Sequence, residues 1–504
     1  MLLPRRATLA LPALLGTVAL PRPGASQAGG GVLRIAMSTN LRNLDPARTT
    51  IGEEFMHSVF VFNGLTRMRE DQAVVPELAE SWTYAADLKT WEFKLRRGVR
   101  FHHGREMTAE DVIATFRRVL DPATGSVSRS NYDMIERMEA PDPHTVIFRL
   151  SYPYGGFADI LSDRQVKIIA ADRIEDLATA PIGTGPFTFR SYAPGDRAIY
   201  ARNPNYWEGG PRFDGVEMRI LPEMSVRIAA LQAGDLDVVW DLGPENIRAL
   251  REARNIRVDS VPTASWDGAI LNNSTAPFND VRVRRALNLA VAKADIAEAV
   301  LFGEGEPTHS PIAPNHPFFA RDIGFPARAD VATARRLLRE AGHAGNLRLP
   351  LVIPVGRPVR ERLGVALQQM ARPAGFEFEI QRVPFSRYAA EVAGKAPIYI
   401  DGYFARPTID TSTFPFLHSR GSQNERLWLY NEPRVDAALE AARLSGDVAV
   451  QRTHYLAMQR AMVDNPPGYI AYAQKFACAY RTAVRDVQTH PMRWFDLRAG
   501  YMGS

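Results

Sequence analysis

Short stretches with strand periodicity alternate with amphipathic helical stretches from Val32 to about Val463, and this alternation limits the fold more than any other feature. Helices interleaved with strands must cover sheets, which places the chain in the α/β class, with lobes built on mixed β-sheets. Val32–Met37 reads as a short apolar strand, and Trp91–Leu95 and Thr145–Leu150 alternate apolar and polar residues as half-buried strands do. Thr108-Ala109-Glu110-Asp111 is a capping-box variant that opens a helix closed by Asp121-Pro122. Phe187–Tyr192 and Ala198–Arg202, joined through Pro194-Gly195-Asp196, predict a hairpin.

Further along, Ser225–Ala233 predicts a helix stopped by Gly234, followed by a strand over Asp237–Trp240. Asp280 caps a helix whose Val283, Ala286, Leu287, Ala290 and Val291 share one face, so Arg282, Arg284 and Arg285 are expected to face mostly outward as a solvated surface. Leu347–Ile353, a helix over about 358–370 and Phe376–Val383 form a strand–helix–strand unit. Pro397–Tyr403 is another strand, followed by helices around Val435–Leu444 and Ala449–Val463. No sequence repeat or low-complexity tract interrupts this order.

The 504 residues predict about three domains. The single cysteine, Cys478, has no partner for an internal bridge, which excludes Cys-rich metal frameworks and CxxC redox chemistry. The formal net charge is +5, and the first 28 residues carry Arg5, Arg6 and Arg22 with no acid, so the remainder is +2. Those charges are interspersed and offer no concentrated basic surface for nucleic acid. Met1–Arg6 is short and basic, Ala7–Leu20 is apolar, and Ser26-Gln27-Ala28 supplies small residues for cleavage, so residues 1–28 read as a signal peptide. The apolar run is shorter than the roughly 20 residues that span a bilayer. Arg5-Arg6 leaves the general and twin-arginine export routes both open. No cysteine sits at the cleavage site, so the mature chain is expected to be soluble in a periplasm and not a lipoprotein.

Enzyme signatures are missing: no GxSxG elbow, HExxH helix, GxxxxGK[ST] loop or GxGxxG turn occurs. Gly183-Thr184-Gly185-Pro186-Phe187 leads into a strand, so it presents no helix N-terminus to a phosphate. The His102-His103 pair would point to opposite sides of an extended segment. It reads better as a strand end entering the Gly104 turn, with His102 hydrogen-bonded. No catalytic residue, metal site or cofactor is assigned.

Several stretches, in order, resemble the peptide/nickel-type (family 5) extracellular solute-binding proteins of ABC importers. They are Leu44-Asp45-Pro46; Phe62–Leu65 through Val75–Trp82, Trp91–Arg96 and Gly98–His102 to Thr108–Val112; Gly183–Phe187; Asn203–Trp207; Pro277–Leu287; Tyr430-Asn431-Glu432-Pro433 with Asp436; and the Arg452 helix ending near Asn465-Pro466-Pro467. The resemblance gives His102 and the Gly183–Phe187 loop roles as scaffold. It implies a two-lobed periplasmic binding protein (type II, cluster C-like) with an additional small domain. Lobe I would comprise residues 29–45, 181–262 and 478–504, the small domain 46–180, and lobe II 263–477. The implied function is ligand capture in an interlobe cleft and delivery to the permease subunits by a monomeric, non-enzymatic protein.

In peptide-binding members of that family a Trp-rich strand end precedes an acidic cluster, whose aspartate holds the peptide amine. The similar segment here is Asp401–Asp410, with Tyr403 at the tryptophan position and Arg406 near the aspartate. Arg406 either faces the cleft and grips an anionic group, as its planar fork allows, or pairs internally with Asp410, or snorkels at the surface. Tyr403 and Phe404 alternate along a strand, so on regular geometry at most one of them can face the ligand and the other is core, with Tyr403 favoured at the ligand by family position. Trp266 is either a second cleft wall or a core tryptophan. The ligand is expected to be a small polar or anionic solute, such as a modified peptide or opine-like conjugate. The rival readings are a conventional di- or oligopeptide binder and, in a different class, a secreted hydrolase; a sensor role could coexist with transport.

Overall fold

The computed structural model describes residues 30–503, and the signal-peptide reading of residues 1–28 falls outside them. The chain enters on β1 (Val32–Met37) and α1 (Gly52–Val61), then builds a small domain. That domain holds an antiparallel sheet of β2 (Ala79–Tyr84), β3 (Thr90–Leu95), β4 (Ile135–Asp142) and β5 (Thr145–Leu150), in spatial order β2-β3-β5-β4. The alternating residues of β3 and β5 bury Trp91, Phe93 and Phe148 against α2 (Ala109–Leu120), which brings Phe116. The capping box at Thr108 forms, with Asp111 accepting the Thr108 backbone N–H at 2.9 Å.

The chain returns through β6 (Phe187–Ala193), β7 (Arg197–Arg202), β8 (Gly215–Ile220) and β9 (Val238–Val239) to the sheet begun by β1. β10 (Ile256–Leu271) then crosses into a second lobe. There α3 (Val281–Ala290), β11 (Leu347–Val355), α4 (Pro358–Ala371), β12 (Phe376–Pro384), β13 (Ile398–Tyr403), α5 (Ile409–Leu417), α6 (Pro433–Arg443) and α7 (Val448–Asp464) are assembled. β14 (Tyr469–Arg481) carries the chain back. One mixed sheet therefore runs through both lobes in the order β12-β11-β13-β10-β14-β9-β1-β8-β7-β6, with a short edge strand, Gly305–Pro307, on β14.

β10 and β14 are the long strands shared by the two lobes. Residues 256–262 of β10 pair with 475–481 of β14, the register breaks, and pairing resumes from Trp266 opposite Ala473. At the break the Thr263 hydroxyl donates to Gln474 O at 2.8 Å and accepts from Ser265 N–H at 3.0 Å. Both residues are buried, so side-chain bonds stand in for the missing ladder bonds.

Two scaffold readings acquire partners. His102 Nε2 lies 3.0 Å from Gly185 O, and its backbone N–H donates to Gly183 O at 2.9 Å. Burial pushes this imidazole down to about 4, so it is a neutral scaffold group at neutral pH. A Cβ on Gly183 would come within 2.0 Å of Val61 O, which is why glycine stands there. One expectation is corrected: Arg282 and Arg285 are exposed, but Arg284 is buried. It lies four residues before Asn288 on the buried face and bonds Pro466 O (2.8 Å), Phe278 O (2.5 Å) and Asn465 Oδ1. Its stem packs inward while its five donors find carbonyls, a combination that apolar periodicity alone does not reveal.

Candidate functional site

The segment following β13 sits where three parts of the molecule meet. β13 pairs with β10, placing Tyr403 opposite Trp266 and Gly402 opposite Asp267. A Cβ on Gly402 would lie 2.0 Å from Asp267 Oδ1, so the close approach requires glycine. The strand ends at Tyr403, Ala405 N–H donates to Ser265 Oγ at 3.0 Å, and Thr408 with Thr411 forms the capping box that starts α5.

Two cavities flank this segment, and both fall in the size range of small-molecule sites. One, of about 520 Å³, opens between the Asp241–Ile247 stretch of the first lobe and Arg357, Arg360, Phe385 and Asp401–Phe404 of the second. The other, of about 440 Å³, is bordered by Arg406–Asp410, by Ile312 and Phe318 of the second lobe, and by Gln72, Tyr154 and Asp159 of the small domain.

Trp266 is 3% exposed and stacks on Trp428 at 5.8 Å, with Tyr403 at 5.4 Å; it belongs to the core beneath the segment. Tyr403 also packs edge-on to Phe416, and burial holds its phenol well above the ordinary range. Tyr403 and Phe404 both border the larger cavity. The expected alternation does not separate them because Phe404 lies past the end of β13. Phe404 is 56% exposed, and the Arg493 guanidinium of the first lobe lies 5.0 Å from its ring centre.

The cavity arginines divide into paired and unpaired groups. Arg360, in the first turn of α4, bonds Asp267 Oδ1 (2.9 Å), Asp401 Oδ1 (2.6 Å) and Gly402 O (2.6 Å). Burial opposes its charge, but the two carboxylates outweigh burial and hold it above its ordinary value. Arg357, three residues earlier, has no hydrogen-bond or carboxylate partner among the described residues and lies 4.0 Å from the Phe385 ring centre. Burial, with Arg360 adding like charge, pushes it down.

Arg406 likewise has no hydrogen-bond or carboxylate partner among the described residues. It is not paired with Asp410, whose carboxylate takes a bidentate bond from Arg443 (2.7 and 2.9 Å) and a third bond from the Tyr154 hydroxyl (2.9 Å). Arg406 is itself exposed, as the surface reading of this side chain expects, and it borders the smaller cavity. Burial pushes Arg164 of the small domain down to about 10; Asp163 opposes that shift, while Arg406 and Arg493 add to it by repulsion. Arg493 has a carboxylate partner in Asp241 at 2.6 Å. Arg493 borders the larger cavity, while Arg164 is buried and donates to Met492 O at 3.3 Å. An unpaired guanidinium at a cavity border, as Arg406 presents, favours an incoming anion.

Asp159 borders the smaller cavity, and no hydrogen-bond partner of its carboxylate is found among the described residues. Burial and the nearby Asp410 push this acid up to about 6.

Arg357, Asp159, Arg164 and Arg493 were not singled out from sequence. Gly356-Arg357-Pro358, at the end of a strand and the start of a helix, carried a usable signal, because such junctions face clefts in α/β folds. The other three carried none.

A family model described as bacterial extracellular solute-binding proteins, family 5 Middle, matches residues 73–425. The chain is 29% identical over 493 residues to di/tripeptide-binding protein 2 of Pseudomonas aeruginosa, covering 89% of this chain and 91% of that protein. It is 31% identical over 433 residues to Protein XP55 of Streptomyces lividans, covering 81% and 78% respectively. Among solved structures, the periplasmic binding protein DppA of Helicobacter pylori in complex with the peptide STSA superposes with a TM-score of 0.78 at 23% identity, covering 95% of this chain and 99% of that one.

Proposed function

The chain belongs to the bacterial extracellular solute-binding proteins of family 5, and from that premise we propose that its ligand is a small, carboxylate-bearing, peptide-like solute gripped at Arg406. It is the solute-binding component of an ABC importer, capturing its ligand between lobes and passing it to the membrane permease. Members of this family bind their substrates and do not transform them. The observation that carries the ligand assignment is Arg406 at the border of the smaller cavity, with no hydrogen-bond or carboxylate partner among the described residues. Arg357 on its aromatic platform adds a second free guanidinium on the same lobe. The di/tripeptide name of the Pseudomonas relative supports a ligand of that size.

A ligand that touches both lobes stabilises the closed state by its differential affinity for the two states. The permease then distinguishes loaded from empty protein by shape. Micromolar affinity corresponds to about 8 kcal/mol, which traps scarce solute and still permits release. We assign lobe I to residues 29–45, 181–262 and 478–504, the small domain to 46–180 and lobe II to 263–477. The family reading adds an exported, monomeric working form; among the described residues no helix is long and apolar enough to cross a membrane.

Native mass spectrometry of protein purified from its host, followed by calorimetry with the recovered molecule, tests this reading. A co-purifying peptide or amino-acid conjugate with at least one carboxylate is expected. A neutral or purely cationic ligand would overturn the anionic assignment, and turnover of the bound molecule would overturn the transport reading.

A further inference from the structure

The smaller cavity carries an imbalance that specifies its guest more narrowly. Asp71, at its rim, is engaged by Arg69. Asp410 is engaged by Arg443 and Tyr154. His316 is pushed down to about 4 by burial and is neutral, with its Nδ1 accepting Phe318 N–H at 3.0 Å. The Tyr455 phenol is held well above its ordinary range by burial and stays neutral. After this internal pairing, one carboxylate and one guanidinium of the lining have no partner among the described residues: the half-buried Asp159 from the small domain and the exposed Arg406 from the second lobe. The walls between them include Ile312, Phe318 and Ile409, which suit an apolar body between two charged ends.

We propose that Asp159 holds an ammonium group of the same molecule whose carboxylate Arg406 holds, so that the solute is zwitterionic and the small domain takes part in selecting it. This rests on the carboxylate-binding reading of Arg406 and adds the second charge. A half-buried carboxylate without a counter-ion is costly to keep ionised, and the upward shift of Asp159 is the signature of that cost. An ammonium in hydrogen-bond reach would remove it. Because Asp159 and Arg406 belong to different units, a ligand spanning both also ties the small domain to the second lobe.

The test uses the full mature protein and two probes: a pooled library of di- and tripeptides with free N-termini, and the same library N-acetylated. Binding is read by thermal shift and then by titration of the best-binding peptide. The free peptide is expected to bind at least tenfold more tightly than its acetylated form. Asp159→Asn should erase that difference, and Asp159→Glu should restore part of it. Equal binding of free and acetylated peptides by wild type would overturn the ammonium site while leaving the carboxylate reading standing. Binding of neither library would overturn the peptide-like reading on which the site rests. The wild-type comparison needs no variant, so a folding defect in Asp159→Asn does not block the test.

Discussion

The Tyr154 hydroxyl donates to Asp410 Oδ2 at 2.9 Å, a buried bond between residues 256 positions apart that fastens the small domain to the second lobe. Arg443 holds the other side of the same carboxylate, and its backbone O accepts Gly155 N–H at 2.7 Å. Tyr154→Phe removes one of the three donors to Asp410 without opening space. The expected cost is about 1–2 kcal/mol, and it should fall mainly on the closed arrangement. Small-angle scattering of the ligand-free variant should report a larger radius of gyration than wild type. An unchanged radius would show that this bond does not latch the two units.

The paired and unpaired arginines should separate cleanly under mutation. Arg406→Ala removes a charge-assisted bond made only to ligand, expected to cost about 1.5–3 kcal/mol of binding, or roughly tenfold to over a hundredfold. The melting temperature of the ligand-free protein should hardly move, because Arg406 is exposed and has no partner to abandon among the described residues. Arg360→Ala should do the reverse, since it strands the Asp267 and Asp401 carboxylates and is expected to destabilise the fold by about 3–5 kcal/mol. Calorimetric affinity and melting curves of the two variants check both halves. Native-ligand affinity unchanged in Arg406→Ala would take that residue out of the site.

What could be read from the sequence, and what could not, divides by distance along the chain. Strand alternation in Thr145–Leu150, the Thr108 capping box and the Asp280 cap involve residues within a turn of one another, and each forms as expected. The ordered motifs gave the family because they extend over nearly all of the chain. The site was only partly legible because its geometry joins distant segments. Arg406 is legible as a departure from the family pattern, but Asp159 and Arg493, which border the two cavities, come from other units and bear no local mark. Spacing makes Asp410, four residues away, a candidate partner for Arg406; the fold brings Arg443 to it instead. Trp266 and Tyr403 are opposite one another in register, and only the packing of Trp428 shows that the tryptophan is the buried member.

The break in the β10–β14 ladder predicts a specific weak point. Thr263 supplies both the donor to Gln474 O and the acceptor for Ser265 N–H. Thr263→Val keeps shape and loses both bonds, leaving the buried Ser265 N–H and the part-buried Gln474 O without these partners, at an expected cost of about 1–3 kcal/mol. Amide hydrogen exchange at Ser265 should accelerate, with little change in strands remote from the crossing, such as β12. Uniform acceleration across the protein would point to global destabilisation, and no acceleration would mean that the side-chain bonds do not hold the crossing together.

Asp159 sets a pH-dependent cost on the ligand-free protein. Its acid is held at about 6 in the fold, above an ordinary value of 3.8, by burial and by Asp410. The groups around its cavity are Asp410 tied to Arg443 and Tyr154, Arg406, the rim Asp71, His316 and Tyr455. A carboxyl raised on folding binds its proton more tightly in the native state, so its contribution is fully present below about 4 and is lost as pH rises through about 6. Above that range the native state must hold an unpartnered charge, at a cost of order 1–3 kcal/mol. Asp159→Asn should therefore melt higher than wild type at pH 7–8, with the difference shrinking toward pH 4. His316, which titrates near the bottom of this range, is present in both proteins and cancels in the comparison. The same variant should lose affinity for an ammonium-bearing ligand, because the charge that costs the empty protein stability is the one the ligand neutralises. A melting difference that is flat with pH would show that Asp159 is not the group under strain.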